Sequence, residues 1–74
     1  MSRKARHYDE AEFADLLVGT MMLQWDEDKE EMLAGWTRRE GGWHNPDVLG
    51  YLYSNHMIWS PTSLYEVIYD PRVG

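Results

Sequence analysis

The three histidines are the first candidates for chemistry, because a neutral imidazole can bind a metal or act as a general base. His7, His44 and His56 are much further apart than the three or four residues that place two ligands on one face of a helix. His44 precedes Asn45-Pro46, as a loop residue would, and His56 lies in an apolar pattern typical of a core. The spacing predicts no metal site and no catalytic histidine.

The acidic stretch 26–31 is the second candidate for cation binding. It holds five carboxylates and one lysine, and its alternating Asp26, Asp28 and Glu30 suggest a calcium loop. An EF-hand loop requires glycine at its sixth position and glutamate at its twelfth, where this chain has Glu31 and Thr37. We interpret the stretch as a solvated acidic surface, and we predict that the protein has no metal and no cofactor.

The serines and glycines form no motif for covalent catalysis or phosphate binding. No serine lies in a nucleophile elbow, and the glycine pair Gly41-Gly42 lacks the spacing of a phosphate loop. A chain of 74 residues also has little interior to spare for a substrate pocket. We predict that the protein is not an enzyme; an activity would need a site shared between subunits.

Charge divides the chain into two regions. Residues 1–7 carry three basic side chains and no acid, for a charge of +3, and residues 8–74 carry the thirteen acids and four bases, for −9, which sum to the net −6. We predict a flexible basic tail over 1–7 and a single acidic domain over 8–74. Such a body would repel nucleic acid, so direct nucleic-acid binding is not expected.

Size and hydropathy bear on location and partners. No apolar run approaches the roughly 20 residues of a membrane span, so we expect a cytoplasmic protein without membrane contact. A chain this short buries only about 60% of its unfolded surface, and without cysteine it has no disulfide to stabilise it. A partner chain is the expected supplement.

Apolar spacing predicts two helices in the first half. Over residues 8–24 apolar side chains recur at steps of three and four from Phe13 onward, and Asp9 with Glu12 forms a capping box. Over residues 27–40 the acidic start suits the positive end of a helix dipole. The glycines that follow suit a helix exit.

Two cap-plus-proline pairs, Asn45-Pro46 and Ser60-Pro61, predict the starts of a third and a fourth helix. Asp70-Pro71 ends the last element. The predicted fold class is therefore all-α, a compact bundle of about four short helices. Residues 50–59 and 64–69 are also consistent with short strands. The alternative is an α+β fold, in which two helices pack on a small antiparallel sheet.

Two surface features favour partner binding. The chain is rich in tryptophan, tyrosine and methionine, the residues that supply interface hot spots. The predicted second helix places four acids on one side, at a spacing comparable with phosphates along a nucleic-acid strand. The predicted partner-binding residues are Asp26, Glu27, Glu30 and Glu31 for charge, Trp36, Trp43 and Tyr51 as apolar anchors, and Val18 and Met22 for a homodimer.

In general profile the chain resembles the small acidic inhibitors, such as anti-CRISPR proteins, that phages and mobile elements encode against host complexes. That resemblance implies a protein–protein interaction module that inhibits or modulates a larger, basic, nucleic-acid-binding protein by nucleic-acid mimicry. The alternative is a structural or assembly subunit that acts through homo-oligomerisation. Salt dependence of binding and the oligomeric state separate the two.

Overall fold

The computed structural model describes residues 4–72, and it shows an antiparallel sheet rather than a helical bundle. Its four strands lie side by side in the order Gly42–His44, Met32–Arg39, Met21–Trp25 and Leu64–Tyr69, and two short helices accompany them. The all-α prediction is wrong, and the α+β class given as its alternative is right. The elements are α1 (Glu10–Ala14), β1 (Met21–Trp25), β2 (Met32–Arg39), β3 (Gly42–His44), α2 (Asn55–Ile58) and β4 (Leu64–Tyr69).

Helix α1 begins where it was predicted and ends after little more than one turn. The capping box is present: the Glu12 N–H donates to Asp9 Oδ1 (2.7 Å) and the Asp9 N–H donates to Glu12 Oε1 (3.2 Å). Gly19, at φ +100°, turns the chain into β1. Strand β1 has apolar side chains on both faces, so its sequence lacks the apolar/polar alternation of a half-buried strand. The apolar residues instead match helical spacing.

The predicted second helix is a hairpin. Residues 26–31 form the turn between β1 and β2, closed by Asp26 N–H to Glu31 O (3.0 Å) and Lys29 N–H to Asp26 O (3.1 Å). A helix would have set Asp26 beside Glu30 and Glu27 beside Glu31, and such like-charge pairs are destabilising. The turn instead exposes four of its five acids to water.

The two cap-plus-proline pairs begin turns rather than helices. The Asp47 N–H donates to Asn45 Oδ1 (2.9 Å), and the Thr62 N–H donates to Ser60 Oγ (3.3 Å). Such side-chain-to-backbone bonds stabilise turns as readily as helix starts. The strand alternative for residues 64–69 is confirmed by β4, which ends before Asp70-Pro71.

The core lies between one face of the sheet, here called the inner face, and the two helices. Phe13 of α1 packs on Trp43 (5.1 Å between ring centroids) and Tyr65 (5.0 Å). The opposite face of the sheet, here called the outer face, has no element over it in the part of the chain that the structure describes. The buried core residues are Tyr8, Phe13, Leu16, Met22, Trp36, Trp43, Ile58, Tyr65 and Val67.

At each edge of the sheet, one residue from outside the strands pairs with the edge strand. Arg6 exchanges two backbone hydrogen bonds with Tyr65 of β4 (3.1 and 2.8 Å), and Tyr53 does the same with Trp43 of β3 (2.8 and 2.9 Å). Of the predicted tail 1–7, residues 1–3 lie outside the described residues, and Ala5 is buried. Within residues 4–72 no helix is long and apolar enough to cross a membrane.

Candidate interaction surfaces

The segment before α2 carries large apolar side chains that point into solvent. Leu49 is 85% exposed, the highest value among the large hydrophobic residues described. The stretch 48–65 contains no Asp, Glu, Lys or Arg, although the whole chain has a net charge of −6. We name this surface the neutral patch; its exposed members are Val48, Leu49, Tyr51, Leu52 and Met57.

Local structure holds the neutral patch outward. The Asn45 turn lifts the chain off β3, with the Val48 N–H donating to Asn45 O (2.9 Å), and Gly50 reverses it at φ +76°. Tyr51 joins the segment to α2 because its hydroxyl contacts Met57 Sδ (3.9 Å). Tyr51 also packs edge-on against Tyr53 (4.6 Å between ring centroids), which anchors the patch to the core.

The outer face contains a shallow concavity of about 170 Å³ centred on Gly35, here called the Gly35 hollow. Gly35 pairs with Leu23 in the β1–β2 register, and its missing side chain leaves the space open. The side chains around the hollow are almost wholly apolar. The residues that line it are Met21, Met22, Leu23, Gly35, Trp36, Thr37, Pro46 and Ile68.

The turn 26–31, here called the acidic turn, lies at one end of the same hairpin. Five carboxylates and one lysine give it a charge of −4. Asp26 Oδ1 accepts the Glu30 N–H (2.7 Å), and Lys29 takes the left-handed conformation at φ 57°. The lysine ammonium lies 5.6 Å from the centre of the Trp25 ring, so the one cation of the turn is held against the sheet.

The predicted partner-binding residues do not form one surface. Glu27, Glu30 and Glu31 are exposed in the acidic turn, whereas Asp26 is partly buried and closes it. The helical spacing that suggested nucleic-acid mimicry does not exist, because these residues are not in a helix.

The predicted apolar anchors divide between surface and core. Tyr51 and Val18 are exposed, whereas Met22, Trp36 and Trp43 are buried in the core. Val18 and Met22 therefore share no exposed face. Leu49 and Met57 are not among the predicted partner-binding residues, although the absence of charge over 48–65 is a feature of the sequence that indicates them.

Most polar groups beneath the surfaces satisfy each other, although Arg38 Nε is buried without a hydrogen-bond partner among the described residues. Asn55 Oδ1 accepts the Trp43 indole N–H (2.7 Å) and one Arg38 N–H (3.5 Å). Gln24 accepts the Trp36 indole N–H (3.0 Å) and donates to Ser63 Oγ (3.0 Å). In residues 4–72 no three His, Cys, Asp or Glu side chains are grouped as a metal site would require.

Ion pairs and burial shift a few pKa values for structural reasons. The hydrogen bond from Arg6 (3.1 Å) and then the backbone of Asp9 lower the pKa of Glu12. Burial raises the pKa of Tyr65, whose hydroxyl donates to Ile58 O (2.8 Å). These shifts arise from helix capping and core packing. Glu12 also lines a concavity of about 200 Å³, together with Arg6, Tyr8, Asp15, Leu16 and Arg72.

Comparison with known proteins gives no independent guide to function. A scan against protein-family models, a search of curated proteins and a search of solved structures each found no match. The function must therefore be inferred from the surfaces of this chain: the neutral patch on the one hand, and the Gly35 hollow with the acidic turn on the other.

Proposed function

We propose that this protein is an assembly subunit that associates with copies of itself through the neutral patch, in the cytoplasm. The observation that carries the proposal is the 85% exposure of Leu49 in an uncharged stretch of an otherwise acidic chain. Single exposed leucines are common on protein surfaces, whereas grouped ones mark interaction sites. Here Val48, Tyr51, Leu52 and Met57 are exposed in the same uncharged stretch, and Tyr51 contacts Met57.

Charge favours this patch over the rest of the surface. Two copies with a net charge of −6 each repel, and the repulsion is strongest where their carboxylates approach. Contact through a patch without charged side chains keeps the acids of the two copies apart. The acidic turn would instead bring a charge of −4 against an equal charge.

Burial of apolar side chains supplies the favourable free energy of association. Moving a leucine side chain from water into an apolar contact contributes about 1.5–3 kcal/mol. In a two-fold dimer each residue is buried in both copies, so a small patch counts twice. The patch has five exposed apolar members, fewer than the roughly 20–30 residues a side of standard interfaces, so we expect reversible, concentration-dependent association.

Sedimentation velocity over a range of protein concentrations tests the proposal. Wild-type protein should shift from monomer to dimer as concentration rises. Leu49→Asp should weaken association by at least about tenfold, because the substitution puts a charge in the centre of the contact in both copies. Val18→Asp is the matched control, since Val18 is also exposed and apolar but lies in the loop after α1.

A monomer at every concentration would overturn the proposal. So would a dimer that Leu49→Asp leaves intact, and a dimer that only Val18→Asp disrupts would assign the contact to the other surface. Circular dichroism of both variants checks that each remains folded.

A further inference from the structure

The Gly35 hollow and the acidic turn form a second surface, separate from the neutral patch. We propose that this surface docks a segment of another protein that carries one large aliphatic side chain, with lysine or arginine a few residues away. The aliphatic side chain occupies the Gly35 hollow, and the cations lie against the acidic turn. This proposal does not depend on self-association.

The size of the hollow sets the class of occupant. At about 170 Å³ it is smaller than the roughly 300–1,000 Å³ of pockets that hold small-molecule ligands. It suits a single side chain, which is how interface anchors bind. Its nearly apolar lining selects an aliphatic anchor over a polar one.

Gly35 creates the hollow without being required by the backbone. A Cβ atom there would meet Leu23 Cδ2 at 3.7 Å, an ordinary contact. Glycine weakens a strand by about 0.5–1 kcal/mol relative to alanine, so the sheet itself gains nothing from it. Gly35 therefore leaves a hollow in the outer face, which a larger side chain at this position would fill.

Charges along the hairpin select a cationic segment. Glu66 pairs with Leu23, a lining residue of the hollow, and its partly buried carboxylate accepts the Trp25 indole N–H (3.1 Å). The acidic turn begins about four residues from Gly35 along β2, about 13 Å at a rise of 3.3 Å per residue. An extended segment anchored in the hollow would bring a lysine or arginine to the turn about four residues later.

The neutral patch of a second copy does not fit the same surface. Its exposed apolar residues come from a stretch without any cation, and the net charge of −6 would be repelled by the acidic turn. Cations on the occupant are needed to balance the carboxylates. We therefore assign the occupant to a different, basic polypeptide; selected peptides that match residues 1–7, which carry a charge of +3, would instead assign it to a second copy.

Selection from a random peptide library tests this chemistry directly. The immobilised protein serves as target and Gly35→Leu, which fills the hollow, serves for counter-selection. We expect selected peptides to share a leucine, isoleucine or methionine with lysine or arginine about four residues away. Their affinity should fall at least about tenfold for Gly35→Leu and about tenfold with added salt.

Two further variants keep the test decisive. Replacing Glu27, Glu30 and Glu31 by glutamine should remove most of the salt dependence without changing the hollow, whereas Leu49→Asp, in the neutral patch, should bind the peptides as wild type does. No enriched peptide, an uncharged or acidic consensus, or binding unaffected by Gly35→Leu would each overturn the proposal. Selected peptides that match residues 48–52 would overturn it in favour of a second copy.

Discussion

At the scale of single residues, three side chains, those of Asp9, Asn45 and Ser60, each accept a backbone N–H where a helix or turn begins. Asp9 caps a helix as expected, but the helix ends at Ala14. Asn45 and Ser60 accept the backbone bonds expected of helix caps, and each begins a turn instead. A cap depends on three neighbouring residues, whereas the length of an element depends on what packs against it.

The pKa shift of Glu12 predicts a specific loss of stability in acid. Its folded pKa lies below its unfolded value, so its contribution is present above the unfolded pKa, about 4.3, and is lost as pH falls through the folded pKa. The free energy of unfolding should therefore decrease between about pH 5 and pH 3. Urea titrations of Glu12→Gln should show a smaller decrease over this range.

Glutamine retains the oxygen that caps α1, so this variant isolates the charge paired with Arg6. Glu10→Gln is the control, because Glu10 lies in the same first turn and makes no ion pair within residues 4–72. Equal pH slopes for the two variants would contradict the assignment to the Arg6–Glu12 pair.

At the scale of elements, the sequence predicts the start of α1 and, as an alternative, the last strand, but not the sheet. Strand β1 has Met22 facing the core and Leu23 facing outward, so both faces are apolar and the alternation is masked. The outer face around Gly35 is apolar although no helix or strand of residues 4–72 covers it, which makes it a candidate binding site. The apolar side chains on the outer face remove the alternation that would identify the strand, and they also make this face a candidate binding surface.

Gly42 controls the attachment of the neutral-patch segment to the sheet. A Cβ there would lie 2.7 Å from the Tyr53 carbonyl oxygen, too close for any real contact. Gly42→Ala should therefore lower the free energy of unfolding by about 1–3 kcal/mol, the usual cost of overpacking. In a domain of this size that is a fall in Tm of roughly 4–8 °C per kcal/mol.

Gly35→Ala is the control for that measurement, because its Cβ would meet Leu23 at an ordinary 3.7 Å in the same sheet. It should be neutral or slightly stabilising, since alanine suits a strand better than glycine. Similar losses for both variants would show that the effect belongs to strand glycines in general and not to the contact with Tyr53.

At the scale of the whole molecule, size and charge determine which aromatic residues remain available. So small a chain has a thin stability margin, and it places Trp36 and Trp43 in the core rather than on the surface. Composition showed an excess of large apolar residues, but it could not show which ones the core would take. Of the eleven large apolar residues left exposed in residues 4–72, five lie in the uncharged stretch 48–65.

Because the chain is negatively charged, added salt should change the affinity of binding at the two surfaces in opposite directions. Copies with a net charge of −6 repel each other at long range, and screening shortens that range from about 30 Å at 0.01 M to about 3 Å at 1 M salt. Self-association through the neutral patch should therefore strengthen as salt is added. Peptide binding at the acidic turn should weaken over the same range, because there the screened interaction is attractive.

Sedimentation velocity and peptide titration on one protein preparation measure both responses. Lowering the pH toward the pI of about 4.8 should strengthen the dimer in the same way, since it removes the repulsion by titrating carboxylates rather than by screening them. Leu49→Asp should stay monomeric at every salt concentration, which excludes a general salting-out effect. A dimer that dissociates on adding salt would mean that ionic contacts hold the copies together, and the neutral patch could not then be their interface.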